Sequence, residues 1–132
     1  MGLLKSIFTW WDGATMGTSL YSWRNGIKVG EDALGNVYFE TKPGRRNAPH
    51  RRWVIYNGSN DASRVPPEWH GWLHNSVAEP PERGLPPPRA WEKPPLANMT
   101  GTPLAYRPAG ALEEGGRRSA ATGDYEAWSP DA

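Results

Sequence analysis

The sequence predicts an α+β fold: a small antiparallel sheet of three or four strands with flanking helices, followed by a long extended proline-rich C-terminal tail. Three observations predict it. Two β-prone runs, IKVG and NVYFET, flank a short turn that contains glycine, and a third run, RRWVIY, follows one loop later. Trp and Leu recur at helical spacing behind a proline pair in VPPEWHGWLH. Beyond Glu79, prolines at 80, 81, 86, 87, 88, 94, 95, 103, 108 and 130 come too often for a helix or central strand to persist. The 132 residues therefore divide into an N-terminal amphipathic helix and connection over 1–25, a sheet-plus-helix head over 26–78, and a tail over 79–132.

In MGLLKSIFTWWDG, Leu3, Leu4, Ile7, Phe8 and Trp11 share one helical arc while Lys5, Thr9 and Asp12 lie opposite, which predicts an amphipathic helix ending near Gly13. About three turns of helix are marginal alone, so the apolar face needs cover from its own head, a protein partner or a lipid surface. The next element is a β-hairpin whose turn, Asp32-Ala33-Leu34-Gly35-Asn36, uses Gly35 for the positive φ that such loops need. In its second strand Val37, Phe39 and Thr41 share one face, expected to be the strongly apolar one, with Tyr38 and Glu40 on the other. After the loop KPGRRNAPH comes a third strand, with Trp53 and Ile55 facing one way and Val54 and Tyr56 the other, a pattern that allows partial cover on both faces of the sheet. The sheet is expected to run from about Ile27 to Tyr56. Paired prolines then start a helix near Pro66 that runs to Asn75, and Trp69, Trp72 and Leu73 project from one face of it at i, i+3 and i+4 as a lid on the sheet.

The tail carries Leu85, Trp91, Leu96, Met99, Leu104, Tyr106, Leu112, Tyr125 and Trp128 at intervals, which a solvated linker would not. At about 3.3 Å per residue its stretched length is on the order of 170 Å. The expectation is that these side chains dock into successive pockets of a large partner, with proline lowering the entropy lost on docking.

Composition excludes several classes. Gly (15) and Pro (14) are frequent, as in chains poor in regular structure, yet eight Trp, five Tyr and two Phe are far more rings than a disordered chain carries. The net charge of +1 argues against electrostatic binding of nucleic acid. With no Cys there is no disulfide, no Cys-ligated zinc and no iron–sulfur cluster held by this chain alone. No apolar run approaches the ~20 residues of a membrane span, and no secretory h-region with a cleavage site is evident, so a soluble or peripheral protein is expected.

The succession VGEDALGNVYFE, GRR, RRWVIY and ASRVPPEWHGWLH followed by PP resembles the family of NADH dehydrogenase (ubiquinone) 1 alpha subcomplex subunit 12, accessory subunits of respiratory complex I. The resemblance covers roughly residues 26 to 81 with the phrases in family order, and WEKPPLANMTGTPLAYRPAG and GDYEAWSPDA look like bacterial members. It implies a supernumerary subunit without a redox centre or cofactor, bound to core and accessory subunits of the peripheral arm, which it stabilises or helps to assemble. A paralogue, the assembly factor mimitin, is the alternative within the family. The short chain, the bacterial-style tail and the absence of an obvious transit peptide favour the mature subunit. The implied location is the cytoplasmic side of a bacterial inner membrane, or the matrix side of the mitochondrial inner membrane in a eukaryote.

The residues themselves offer little catalytic chemistry. His70 and His74 stand at i and i+4, but the zincin pattern fails at Gly71 and Trp72, and packing is the expected use. No nucleophile elbow, P-loop or dinucleotide fingerprint occurs, and Glu31, Asp32, Glu40 and Glu68 suit turns, caps and surface pairs. The pairs Arg45-Arg46, Arg51-Arg52 and Arg117-Arg118 are expected on solvated faces, with acidic subunits or lipid headgroups as the other use. No two prolines are three apart, so a PxxP ligand for SH3 grooves is excluded. A small module reading peptides or RNA through Trp53 and Tyr56 is the remaining competitor. The expected partner-binding residues are Trp69, Trp72 and Leu73 in the head and Trp91, Tyr106, Tyr125 and Trp128 in the tail, with Trp69 or Trp72 alternatively forming internal core.

Overall fold

The computed structural model describes residues 3–8, 13–44 and 49–130. Thr9, Trp11, Asp12 and the Arg45-Arg46 pair lie outside the described residues, as do the side chains of Leu3 and Lys5. The elements run in the order α1 (Leu3–Phe8), α2 (Met16–Asn25), β1 (Gly26–Glu31), β2 (Val37–Thr41), β3 (Arg52–Ile55), a 3₁₀ turn (Ala62–Arg64), α3 (Pro67–Leu73), a one-turn α4 (Pro81–Gly84) and a second 3₁₀ turn (Leu112–Glu114). Most of the remainder is exposed irregular chain. Two units are distinguishable, Met1–Asn98 and Met99–Ala132, and all three strands belong to the first.

Leu4, Ile7 and Phe8 of α1 are exposed, so the head does not cover these members of its apolar arc. α2 occupies residues for which the sequence suggested only a connection. Thr15 starts it, its Oγ1 accepting from the Thr18 N–H at 3.2 Å. At the other end the Lys42 ammonium donates to the carbonyls of Trp23 (3.1 Å) and Arg24 (3.2 Å), a cation on the negative end of the helix.

The sheet has the order β1-β2-β3 and is antiparallel throughout. β1 meets β2 with Lys28 opposite Phe39 and Gly30 opposite Tyr38, so Val29 is an extra residue that bulges the edge strand. The turn is built as the sequence predicts, with Gly35 at φ 84° and its N–H donating to the Asp32 carbonyl at 3.1 Å. β2 meets β3 with Phe39 opposite Trp53 and Tyr38 opposite Val54.

Here the structure corrects one expectation. The sealed face of the sheet is the Tyr38 side, not the Val37–Phe39–Thr41 side. Tyr38 is fully buried and stacks on Trp69 with ring centroids 4.1 Å apart and planes 4° from parallel. Trp72 meets the rings of Tyr38 and Trp69 edge-on at 6.2 and 5.5 Å, the tilted arrangement that ring quadrupoles favour. Val65 completes the core, with Val29, Val54, Tyr56 and Leu73 packed against it. α3 is thus the lid that the sequence predicts, laid over the opposite face. Gly30 lets it settle there: a Cβ at this position would stand 2.6 Å from the Trp69 ring. The other face is only half covered, by α2, whose Ser22 accepts the Trp53 indole N–H at 2.9 Å while Tyr21 and Phe39 flank that ring.

Candidate partner-binding surfaces

Buried polar chemistry in this chain is devoted to holding the hairpin and α3 in place. The Asp32 carboxylate accepts from the Leu34 N–H (2.8 Å), the Asn36 N–H (3.0 Å), the Asn36 amide (2.8 Å) and the Tyr38 hydroxyl (2.8 Å). Asn36, fully buried, also donates to the Arg64 carbonyl at 3.1 Å and accepts from the Asn57 N–H at 3.0 Å. A buried amide with all of these partners ties the turn, the end of β3 and the 3₁₀ turn before α3 to one another. Burial, reinforced by the hydrogen bond to Asp32, holds the Tyr38 phenol well above its usual range. Burial and then the charge of Asp61 raise Tyr56 as well, and Asp61 is lowered, first by hydrogen bonding from the Ser63 N–H that it caps.

Arg52 extends the same logic across the core. Its guanidinium stacks 4.7 Å from the Trp72 ring centre and donates to the carbonyls of Trp72 (2.8 Å), Val77 (2.8 Å) and Ala78 (3.0 Å). α3 ends at His74, and Asn75 takes the left-handed conformation at φ 59°.

Among the described residues no set of three or more His, Cys, Asp or Glu is placed to hold a metal ion. His70 and His74 stack at 4.0 Å, and the His74 Nδ1 lies 2.9 Å from the His70 carbonyl, so one ring nitrogen of the pair is engaged by the helix itself. A shallow depression of about 210 Å³ beside β3 is lined by Thr15, Thr18, Val54, Tyr56 and Asn60 among others, with no charged side chain.

The seven expected binding residues separate into two groups. Trp69 and Trp72 are core, their rings used within the head, and Leu73 packs against that core while staying half-buried. Trp91, Tyr106, Tyr125 and Trp128 are 71%, 88%, 86% and 82% exposed, along with Leu96, Leu104 and Leu112. Trp91 belongs to the first unit, where the Asn98 N–H donates to the Ser63 hydroxyl at 2.8 Å, and the Arg89 guanidinium lies 5.6 Å from its ring centre. Tyr106, Tyr125 and Trp128 belong to the second unit. There short local clasps punctuate the chain. Arg107 pairs with Glu113 at 3.0 Å, the Leu112–Glu114 turn stops at left-handed Gly115, and Arg118 pairs with Asp124. That pairing, followed by the hydrogen bond from the Ala121 N–H, holds the Asp124 carboxyl below the usual carboxylate range. One exposed set escaped the sequence reading: Met16, Leu20 and Trp23 along α2, whose i, i+4, i+7 spacing was the available signal.

Comparison with known proteins adds a family. The family described as NADH ubiquinone oxidoreductase subunit NDUFA12 matches residues 26–130. Among curated relatives, the NADH dehydrogenase [ubiquinone] 1 alpha subcomplex subunit 12 of Bos taurus is 42% identical over 98 residues, covering 64% of each chain. The Dictyostelium discoideum protein of the same name is 38% identical over 89 residues, covering 66% of this chain and 63% of the relative. An uncharacterized protein of Rickettsia prowazekii is 42% identical over 59 residues, covering 42% of this chain and 56% of its own. This chain thus spans a little under two thirds of the length of the first two relatives.

Proposed function

This chain belongs to the NDUFA12 family of NADH ubiquinone oxidoreductase subunits, and from that premise we propose that it is a non-catalytic accessory subunit of respiratory complex I. It attaches to core and accessory subunits of the peripheral arm, which it stabilises or helps to assemble, on the cytoplasmic side of a bacterial inner membrane. Among the described residues no helix is long and apolar enough to cross a membrane, which suits a peripheral place in such an assembly. The observation that carries the reading is the set of exposed rings at Trp91, Tyr106, Tyr125 and Trp128, presented on proline-rich chain in which none of the described residues from 79 onward is buried. Aromatic rings of this size are the side chains most often found at the energetic centre of protein interfaces. In this reading the residues from 79 onward are the grip, and the Tyr38–Trp69–Trp72 core keeps the head itself rigid.

Native electrophoresis of membranes with and without this chain tests the proposal. The chain should co-migrate with NADH dehydrogenase activity, and its removal should lower the amount or heat stability of that band. Migration of the chain apart from the activity, with the band unchanged by its removal, would refute the assignment.

A further inference from the structure

Surface helices of soluble proteins turn their apolar residues inward, and α2 does the reverse. Its buried side chains are Ser22 and Asn25, while Met16, Leu20 and Trp23 stand 49%, 61% and 76% exposed. At 100° per residue these three lie within about 60° of one another, an apolar ridge two turns long. The inversion is held in place. Ser22 accepts the Trp53 indole N–H on the inner side, and Lys42 ties the carbonyls of Trp23 and Arg24 to the end of β2. Rolling the ridge inward would break both connections.

Charge around the ridge is one-sided. α2 ends where β1 starts, at the same end of the sheet as the close of β2 and the start of β3. Exposed Arg24, Lys42 and Arg51 gather there. α2 has no acidic residue. Glu40 is at this end too, but faces the ring of His50 at 3.5 Å, and Lys28 is turned toward Glu31 at 3.0 Å. Glu31, Asp32 and Asp61 sit toward the opposite end of the sheet, at and beyond the hairpin turn.

Three side chains of this kind present roughly a few hundred Å² at typical areas, well short of the ~800 Å² per partner that a stable protein interface buries. A bilayer surface asks for less: a few inserted apolar groups, Trp at the headgroup level, and cations over anionic lipid. We propose that α2 lies against an anionic phospholipid surface, Met16, Leu20 and Trp23 entering the acyl boundary while Arg24, Lys42 and Arg51 meet headgroup phosphates. This contact goes beyond the accessory-subunit reading and involves none of the tail rings on which that reading stands.

The test is co-sedimentation of the purified full-length chain with vesicles of mixed phosphatidylglycerol and phosphatidylcholine, against phosphatidylcholine alone. A basic side chain near an anionic surface contributes about a factor of five, so the anionic vesicles should bind at least ~10-fold better, and added salt should erase the preference. Leu20→Glu combined with Trp23→Glu should abolish pelleting without moving the thermal midpoint, because both side chains are exposed. Arg24→Gln with Arg51→Gln should remove the anionic preference alone, and Trp91→Ala with Trp128→Ala should pellet like the parent. Equal binding to both vesicle types, no binding, or undiminished binding by the Leu20/Trp23 variant would overturn the proposal. So would a Leu20/Trp23 variant that detaches from complex I while vesicles never bind, since the ridge would then be a protein contact. Because the vesicle assay contains no complex I, its outcome is separate from that of the native gel.

Discussion

A tyrosine that is the most buried ring of a sheet, in a strand whose neighbours are Val and Phe, is an inversion of side-chain polarity that alternation alone does not reveal. By alternation Tyr38 shares its face with Glu40, opposite the more apolar Val37 and Phe39. Asp32 decides otherwise: its carboxylate takes the Tyr38 hydroxyl at 2.8 Å, so the ring enters the core with its one polar group satisfied. The signal was in the sequence as a turn aspartate six residues ahead, but only the fold brings them together. Burial of this ring, reinforced by that pairing, sets an alkaline limit on stability. Folding raises the phenol pKa above 10.0, so the native state holds that proton more tightly than the unfolded chain does. Its contribution is complete below pH 10 and declines as pH rises past that value. Tyr38→Phe should cost about 1 kcal/mol near neutrality for the lost hydrogen bond. The gap between parent and variant should then narrow by up to about 1.4 kcal/mol per pH unit above roughly pH 10. Urea unfolding of both proteins across that range measures it; a gap that stays constant would remove Tyr38 as the group responsible.

Elements announced by apolar periodicity were legible, and those built on polar burial were not. The hairpin, the third strand and α3 stand close to their expected limits, since Gly35, the Pro66-Pro67 pair and the Trp69–Trp72–Leu73 spacing each act through local geometry. α2 was missed because it buries Ser22 and Asn25 and exposes its apolar row, so the inward-facing pattern that marks a surface helix is absent. Between β3 and α3 the decisive residue is Arg52, read from sequence only as half of a basic pair. Its three carbonyl partners include Val77 and Ala78, which follow the end of α3 and have no helix to satisfy them. Arg52→Met keeps the stem over Trp72 but removes three charged hydrogen bonds, of which those to Val77 and Ala78 are exposed and open to replacement by water, an expected loss of about 1 kcal/mol. Hydrogen exchange offers the sharper readout. Amides from Trp72 to Ala78 should exchange faster in the variant while those of β1 and β2 keep pace with the overall change in stability. Uniform acceleration across the chain would mean that Arg52 supports the whole core rather than this corner.

For the molecule as a whole, the division of labour between aromatic rings carries the functional reading. Tyr38, Trp69 and Trp72 are consumed inside the head, whereas Trp91 and Trp128 lie mostly in solvent. Composition could show an excess of rings over any core this chain can build, but not which rings were the surplus. Trp72 and Trp91 carry the same side chain, and the first is enclosed because the helix register sets it against Tyr38, Trp69 and Arg52. Two substitutions follow from that contrast. Trp91→Ala with Trp128→Ala removes little buried surface, so the thermal midpoint of the purified chain should stay within about 2 °C of the parent, as expected for exposed positions. If both rings sit at the centre of partner pockets, the same variant should lose a few kcal/mol of attachment. That is at least a hundredfold, and the chain should wash from complex I during detergent purification. Trp72→Ala should behave in the opposite manner, costing about 3–5 kcal/mol of fold stability from a cavity in the core and depleting the complex only by depleting folded chain. Quantifying chain per complex at matched expression, alongside the melting curve of each variant, distinguishes the two. A Trp91/Trp128 variant that melts early, or that stays on the complex at parental stoichiometry, would assign these rings to the fold or to solvent and leave the grip to other residues.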